Sequence, residues 1–407
     1  MLRIIIKNLK NLLLGWGIIV PLSCLIYRKK DLVVFIGKNR GKFFDNVKYL
    51  FLHLHRSETK TAKYYYLTER KCVNKMLKQN DLPVLFYPSI YSMYILLRAN
   101  IVILDDTTWI NHYKYYFLFK SKKIQMWHGI GLKKKGLLLD SEREFNNSLK
   151  GKLHNAIRGK QIIYDLFTSS SEFFIRESFS KAFKSKHFLA SGNARNDLLF
   201  REKYDKYDLL GADEITISRL EELRNAGYKI VLYAPTFRDT GGDAISEGVL
   251  RLKDLALFAE EHKIIFVFKF HSYTTNVDEK RKYDTIIYYD NSKDIQPLLS
   301  LTDILITDYS SVYMDYLLIN KSIIFFPFDH DKYIQKDRQL IFDYEWITPG
   351  AKCYSQDDLQ EKVLDCIEQK DSFSTKREEI KNIAFKYTDG QASKRIWDFI
   401  EKNYIKN

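Results

Sequence analysis

From Asp31 onward, short apolar runs alternate with loop and helix patterns. DLVVFIG reads as a buried strand, KNRGKFFDN as a loop with Asp45 as helix N-cap, and VKYLFLHLH as the next helix. AKYYYLTE, PVLFYP, NIVILDD and KKIQMWHG continue as strands, with helical segments such as YSMYILLRA between some of them. A second series starts near residue 228 with YKIVLYAPT, KIIFVFKFH, TIIYYD, DILITDYS and SIIFFPF, each followed by polar or helical sequence. Leu209 to Ala226 is helical and polar, punctuated by Gly211 and Gly227. Strands alternating with helices predict an α/β protein with parallel sheets covered on both faces. The expected organisation is a first domain over 31–205, a second over 206–385, and a C-terminal helix over 386–407 that packs back on the first. No internal repeat or low-complexity tract interrupts it.

Residues 1–30 stand apart. They carry six basic residues and no acid around an apolar stretch broken by Asn11, Gly15, Gly17, Pro21 and Ser23. The stretch is shorter than the ~20 residues that span a bilayer. A membrane-associating helix is expected, with Trp16 and Arg28-Lys29-Lys30 at the headgroup layer. A cleaved signal and a first helix buried in the domain are the alternatives.

The 407 residues, 45% hydrophobic with 7 prolines and 17 glycines, suffice for two packed domains. A net charge of +14 directs attention to phosphorylated substrates, polyanions or an anionic membrane face. Cys24, Cys72, Cys353 and Cys366 form no CxxC pair, which excludes a zinc-ribbon or disulfide framework and suits a reducing, cytoplasmic setting.

In parallel α/β folds, ligands meet the carboxyl ends of the strands. KKIQMW ends in His128, followed by Gly129, Ile130, Gly131, Leu132 and three lysines: a candidate general base beside an anion site. HFLASGNARNDLLF places Arg195 after an apolar stretch, with Asn196 or Asp197 as a cap for the next element. Pro235, Thr236 and Arg238 follow one later strand, and Lys269, Phe270 and His271 another. In DILITDYSSVYMDYLLI a strand ends at Asp308, Ser310 and Ser311 occupy the first helical turn, and Asp315 lies one turn on, the pattern of a phosphate cradle. The serine pair has capping as its commonest use. Asp105-Asp106 lacks a third ligand, so no metal is assigned. The chain has no GxxxxGK[ST], no GxGxxG after a strand, no HExxH and no GxSxG, and no cofactor is expected.

WHGIGLKK (127–134), SGNARNDLL (191–199), LYAPTFRD (232–239), KFHSY (269–273) and DILITDYSSVYMDY (303–316) occur in that order, and FFPFDHDKY (325–333) continues them. Together they resemble the CDP-glycerol glycerophosphotransferase family of teichoic-acid and capsule synthesis, from about Phe35 to Lys362. The resemblance implies a GT-B fold: two Rossmann-like domains facing across a cleft, held peripherally at the cytoplasmic face of the cell membrane. It implies transfer of glycerol phosphate or another polyol phosphate from a CDP carrier to a hydroxyl of a lipid-linked acceptor. His128 would take the acceptor's proton, with Gly129, Ile130, Gly131 and Leu132 as the adjoining loop. Arg195, Pro235, Thr236, Arg238, Lys269, Phe270, Ser310, Ser311 and Asp315 would bind the donor, and His271 joins His128 as a catalytic residue. The family's usual Thr-Pro is Ile130-Gly131 here, and its proline after the second histidine is Ser272, which affects loop stiffness and leaves the polyol and acceptor open. The state of assembly is open too, a homo-oligomer included.

Two other readings compete. A GT-B glycosyltransferase using a nucleotide sugar would share the fold and phosphate cradle. A nucleic-acid binder would need an exposed basic and aromatic face, whereas the aromatics here fall inside apolar runs such as KYYYL and TIIYYD. No nucleic-acid partner is therefore expected.

Overall fold

The computed structural model describes residues 6, 9–58, 61–110, 113–158, 163–270 and 283–406. Two compact units emerge, one comprising Met1–His128, Lys135–Phe200 and Asp389–Asn407, the other Gly129–Lys134 and Arg201–Thr388. The chain thus changes unit at 200/201 and 388/389, and the six residues after His128 belong with the second.

The first unit is built on seven strands: β1 (Lys29–Ile36), β2 (Lys63–Thr68), β3 (Val84–Phe86), β4 (Ala99–Leu104), β5 (Lys122–Gln125), β6 (Ile163–Ser169) and β7 (Lys184–Ala190). Their order is β3-β2-β1-β4-β5-β6-β7 and every pairing is parallel. Val33, Val34 and Phe35 of β1 are fully buried, as a strand covered on both faces requires. The hydrophobic pattern does not single out β6, because Asp165 sits in its middle. That carboxylate is accommodated by the Lys123 backbone N–H at 2.9 Å and Lys186 Nζ at 2.9 Å. At the sheet edge, β7 carries exposed lysines that discourage pairing with another chain.

The second unit holds β8 (Lys229–Tyr233), β9 (Ile264–Phe268), β10 (Ile286–Tyr288), β11 (Ile304–Thr307), β12 (Ser322–Phe325) and the two-residue β13 (Ala351–Lys352). The order is β10-β9-β8-β11-β12-β13, again all parallel. Each sheet therefore reverses its winding once, between β1 and β4 and between β8 and β11. The loops leaving those strands line the crevice where α/β sheets bind ligands.

Three local expectations are corrected. Asp45 is not a conventional N-cap: Phe44 holds that position, and Asp45, at φ 65°, opens the Asp45–Arg56 helix with its carboxylate turned to Lys38 and Arg195. Asp197 caps no element directly after it. Its two oxygens accept the Ala392 and Ser393 N–H groups, both at 2.8 Å, and so cap the Ala392–Ile400 helix within the first unit. Arg28 is unavailable to headgroups, because its guanidinium donates to the carbonyls of Leu96 and Ala99 and to the hydroxyls of Ser121 and Ser23.

The N-terminal segment is helical over Asn11–Ile19 and Val20–Leu25. Asn11, Gly15, Ile19 and Ser23, one residue per turn, form its buried face. Gly15 permits the docking, since a Cβ there would lie 2.0 Å from the Tyr116 ring. Trp16 meets Tyr116 and Phe119 edge-on at 5.6 and 5.8 Å. Leu12, Leu13, Ile18, Leu22 and Leu25 point outward and are exposed. Among the described residues no helix is long and apolar enough to cross a membrane.

Candidate active site

The first unit gathers its chemistry where β1, β4 and β5 end. Trp127, the second residue beyond β5, adopts a left-handed φ of 57°, unusual for a bulky side chain and the kind of strain that marks a functional turn. Two hydrogen bonds hold it there: its N–H donates to Gln125 Oε1 at 3.0 Å, and its carbonyl accepts from Asn46 Nδ2 at 2.9 Å. The indole stacks on the His128 ring with centroids 4.5 Å apart. His128 Nδ1 lies 2.9 Å from the Asp105 carbonyl oxygen. A carbonyl only accepts, so Nδ1 carries the proton and Nε2 keeps its lone pair. Burial, reinforced by the nearby Lys38 ammonium, pushes the imidazole down to about 3, so it is neutral at pH 7.

Charged side chains surround this ring. Arg195 pairs with Asp45 at 2.6 Å and its backbone N–H donates to Asn46 Oδ1 at 3.1 Å, while Lys38 meets the other Asp45 oxygen at 2.7 Å. Burial alone would raise Asp45, but the two cations hold its carboxyl below the ordinary range. Asp105 shifts well upward through burial and the nearby Asp45 charge, and its oxygens accept the Val47 N–H. Asp106 accepts from Asn39 N–H and from Thr108. Among the described residues no cluster of three or more histidine, cysteine or acidic side chains could hold a metal.

In the second unit, Arg238 is clamped. It donates through Nε and Nη2 to both oxygens of Asp329, at 2.9 and 2.8 Å, and through Nη1 to Asp308 and the Thr236 carbonyl, each at 2.6 Å. All three charged side chains are buried. Asp308 Oδ1 also accepts the N–H groups of Thr236 and Tyr309, which joins the β8 and β11 loops. Beyond them, neither hydroxyl of Ser310 and Ser311 has a hydrogen bond among the described residues, and the Val312–Leu317 helix starts without a side-chain cap. Ser311 stands at the N-cap position of that helix and Ser310 before it, so both precede the first turn expected for them, and neither side chain caps it. The Thr236 hydroxyl likewise lacks a partner among the described residues.

The other expected donor residues have definite places. Pro235 is half-buried beside Thr236. Lys269 is buried with Nζ 3.0 Å from the Asn291 carbonyl, and Phe270 is a core ring against Tyr233 and Phe268. Asp315 is buried and accepts from Gln296 Nε2 at 3.1 Å. Ile130 and Leu132 are buried, and the Leu132 carbonyl accepts from Ile341 N–H at 2.9 Å. Gly129 and Gly131 complete that loop. Arg195 lies in the first unit, paired with Asp45 in the His128 cluster. His271 lies outside the described residues. Sequence reading overlooked Lys38 and Asn46, which come after β1, and Asp329, which comes after β12. Lys38 and Asp329 share a signal of position, each lying shortly beyond the carboxyl end of a strand, whereas Asn46 sits in the first turn of the Asp45–Arg56 helix.

The family model described as CDP-Glycerol:Poly(glycerophosphate) glycerophosphotransferase matches residues 19–402. The chain is 31% identical over 322 residues to the teichoic acid glycerol-phosphate primase of Bacillus subtilis, covering 77% of this chain and 76% of that protein. It is 25% identical over 390 residues to the teichoic acid glycerol-phosphate transferase of Staphylococcus aureus, covering 92% and 93%. With the ribitol-phosphate polymerase TarL of the same organism it shares 27% identity over 79% of this chain but only 58% of that longer protein. A solved structure of the wall teichoic acid polymerase TagF superposes with a TM-score of 0.71 at 22% identity, over 99% of this chain and 97% of that one. The two Rossmann-like units thus have the GT-B fold expected from the sequence, and the chain belongs to the CDP-glycerol:poly(glycerophosphate) glycerophosphotransferase family.

Proposed function

We propose that this protein transfers a polyol phosphate, glycerol phosphate in the first instance, from a CDP carrier to a hydroxyl of a lipid-linked acceptor in teichoic-acid synthesis. The observation that carries this reading is the His128 tautomer, whose open Nε2 suits a general base. The acceptor oxygen attacks the phosphorus bearing the polyol, its proton passes to Nε2, the bond to the bridging oxygen breaks, and CMP leaves. Phosphoryl transfer asks a protein mainly for position and charge neutralisation. The two serines before the uncapped helix and the buried, unpartnered Thr236 hydroxyl are candidate donors for the diphosphate.

Two measurements test this. Radiolabelled CDP-glycerol, CDP-ribitol and UDP-sugars, offered in turn with a membrane fraction, should give lipid-linked label and equimolar CMP from a CDP-polyol and none from a UDP-sugar. Label entering from a UDP-sugar would favour the glycosyltransferase reading. Replacing Ser310 and Ser311 together with alanine should weaken CDP-glycerol binding by roughly 10²- to 10⁴-fold, at ~1.5–3 kcal/mol for each of two hydrogen bonds to a charged group. Unchanged affinity would remove the serines from the donor site.

The exposed apolar face of the N-terminal helix supports a peripheral site on the cytoplasmic membrane surface. Leu13, 61% exposed, and Ile18, 52% exposed, would insert among acyl chains. The Leu13→Asp/Ile18→Asp variant should lose at least about tenfold in partitioning onto anionic liposomes, given ~1.5–3 kcal/mol per apolar side chain buried. Equal sedimentation of variant and wild type would contradict it.

A further inference from the structure

The Lys133-Lys134-Lys135 run is extended, and its members have different surroundings. Lys134 Nζ donates to Gln339 Oε1 at 3.0 Å. Lys135, in the first unit, lies over the Trp127 and Phe179 rings at 4.6 Å from each. Lys133 belongs to the second unit and is fixed there by backbone. It forms an antiparallel bridge with Leu340, flanked by hydrogen bonds from Ile341 N–H to the Leu132 carbonyl and from Lys134 N–H to the Gln339 carbonyl, each 2.9 Å.

This clamp sets the Lys133 ammonium 5.5 Å over the Tyr333 ring. Tyr333 stacks face to face on Tyr309 at 3.9 Å, and Tyr309 directly precedes the two serines. The carboxylates nearby are engaged by arginines: Asp308 and Asp329 by Arg238, and Asp239 by Arg338 at 2.8 Å. An ammonium has three N–H donors, and that of Lys133 reaches no acceptor among the described residues. Burial pushes it down to about 8, although Asp308 pulls the other way. A half-buried cation held by backbone, without an anion of its own, is arranged to receive one.

We propose that Lys133 is a further binding residue for the donor, meeting its diphosphate in the second unit beside Ser310 and Ser311. The proposal rests on the CDP-polyol reading and adds a residue to it. Calorimetric titration of the full chain with CDP, cytidine and inorganic pyrophosphate tests it. Lys133→Gln should weaken CDP and pyrophosphate by roughly 10- to 100-fold and leave cytidine unchanged, as expected when one charge-assisted contact is lost. Lys133→Arg should retain most of the affinity, and Lys336→Gln, at an exposed lysine outside this run, should match wild type. An unchanged thermal midpoint shows that the variant folds.

If wild type and Lys133→Gln bind CDP equally, or if cytidine weakens in step with CDP, the assignment is overturned while the donor reading stands. If pyrophosphate binding depends on Lys133 but the cytidine moiety adds nothing to affinity, the nucleotide reading falls and the anion site stands. Wild type that binds neither CDP nor pyrophosphate overturns both.

Discussion

Arg238→Met should destabilise the second unit by about 3–5 kcal/mol, because it leaves two buried carboxylates without their cation. The Asp308 and Asp329 side chains are 2% and 3% exposed, and the arginine reaches both. Burial by itself would lower the guanidinium, but the two carboxylates raise it beyond its ordinary value, so the charge persists at any working pH. Lysine cannot replace it, since a single ammonium does not span both partners with the fork geometry that Asp329 uses. Calorimetric unfolding should show the second unit's transition displaced downward by roughly 10 °C, at about 2–4 °C per kcal/mol for a domain of this size. Adding Asp329→Asn should recover part of the loss by removing one orphaned charge. An unshifted transition in Arg238→Met would mean that the cluster contributes little to folding.

His128→Ala should lower kcat by ~10² to 10⁴, the usual contribution of a general base, while CDP-glycerol affinity stays near wild type. The pH dependence has a definite sign. With the imidazole pushed down to about 3 in the folded chain against ~6.5 unfolded, the unfolded chain binds the extra proton first. Stability from this group is therefore undiminished above ~6.5 and falls as pH drops toward 3. In the free enzyme the acidic limb of kcat/KM assigned to this ring should lie well below 6.5. A limb at the ordinary histidine value that vanishes in His128→Ala would mean that Lys38 and burial do not hold the ring neutral.

Much of the α/β architecture was legible because fully buried parallel strands read as unbroken apolar runs. VVFI in β1, IVIL in β4 and IIFVF in β9 are examples. β6 was not, because an inward carboxylate interrupts it and only a tertiary partner such as Lys186 makes that tolerable. The locations of His128, Thr236, Arg238 and Ser310 at strand ends followed from the same logic. Their partners did not: Asp45 lies 150 residues from Arg195, and Asp329 lies 91 from Arg238. Spacing along a chain carries no information about such pairs until the sheet order is known. Arg28 shows the opposite difficulty, since a basic cluster after an apolar run looks solvent-facing until backbone carbonyls are found around the guanidinium.

Base catalysis at residue 128 requires a neutral ring with the proton on Nδ1. ¹⁵N NMR of histidine-labelled protein, assigned by comparison with His128→Ala, reads both properties directly. The expected spectrum at pH 5 shows a neutral imidazole, protonated at Nδ1 and bare at Nε2. A ring protonated at Nε2, or an imidazolium that titrates near 6.5, would contradict the role given to His128.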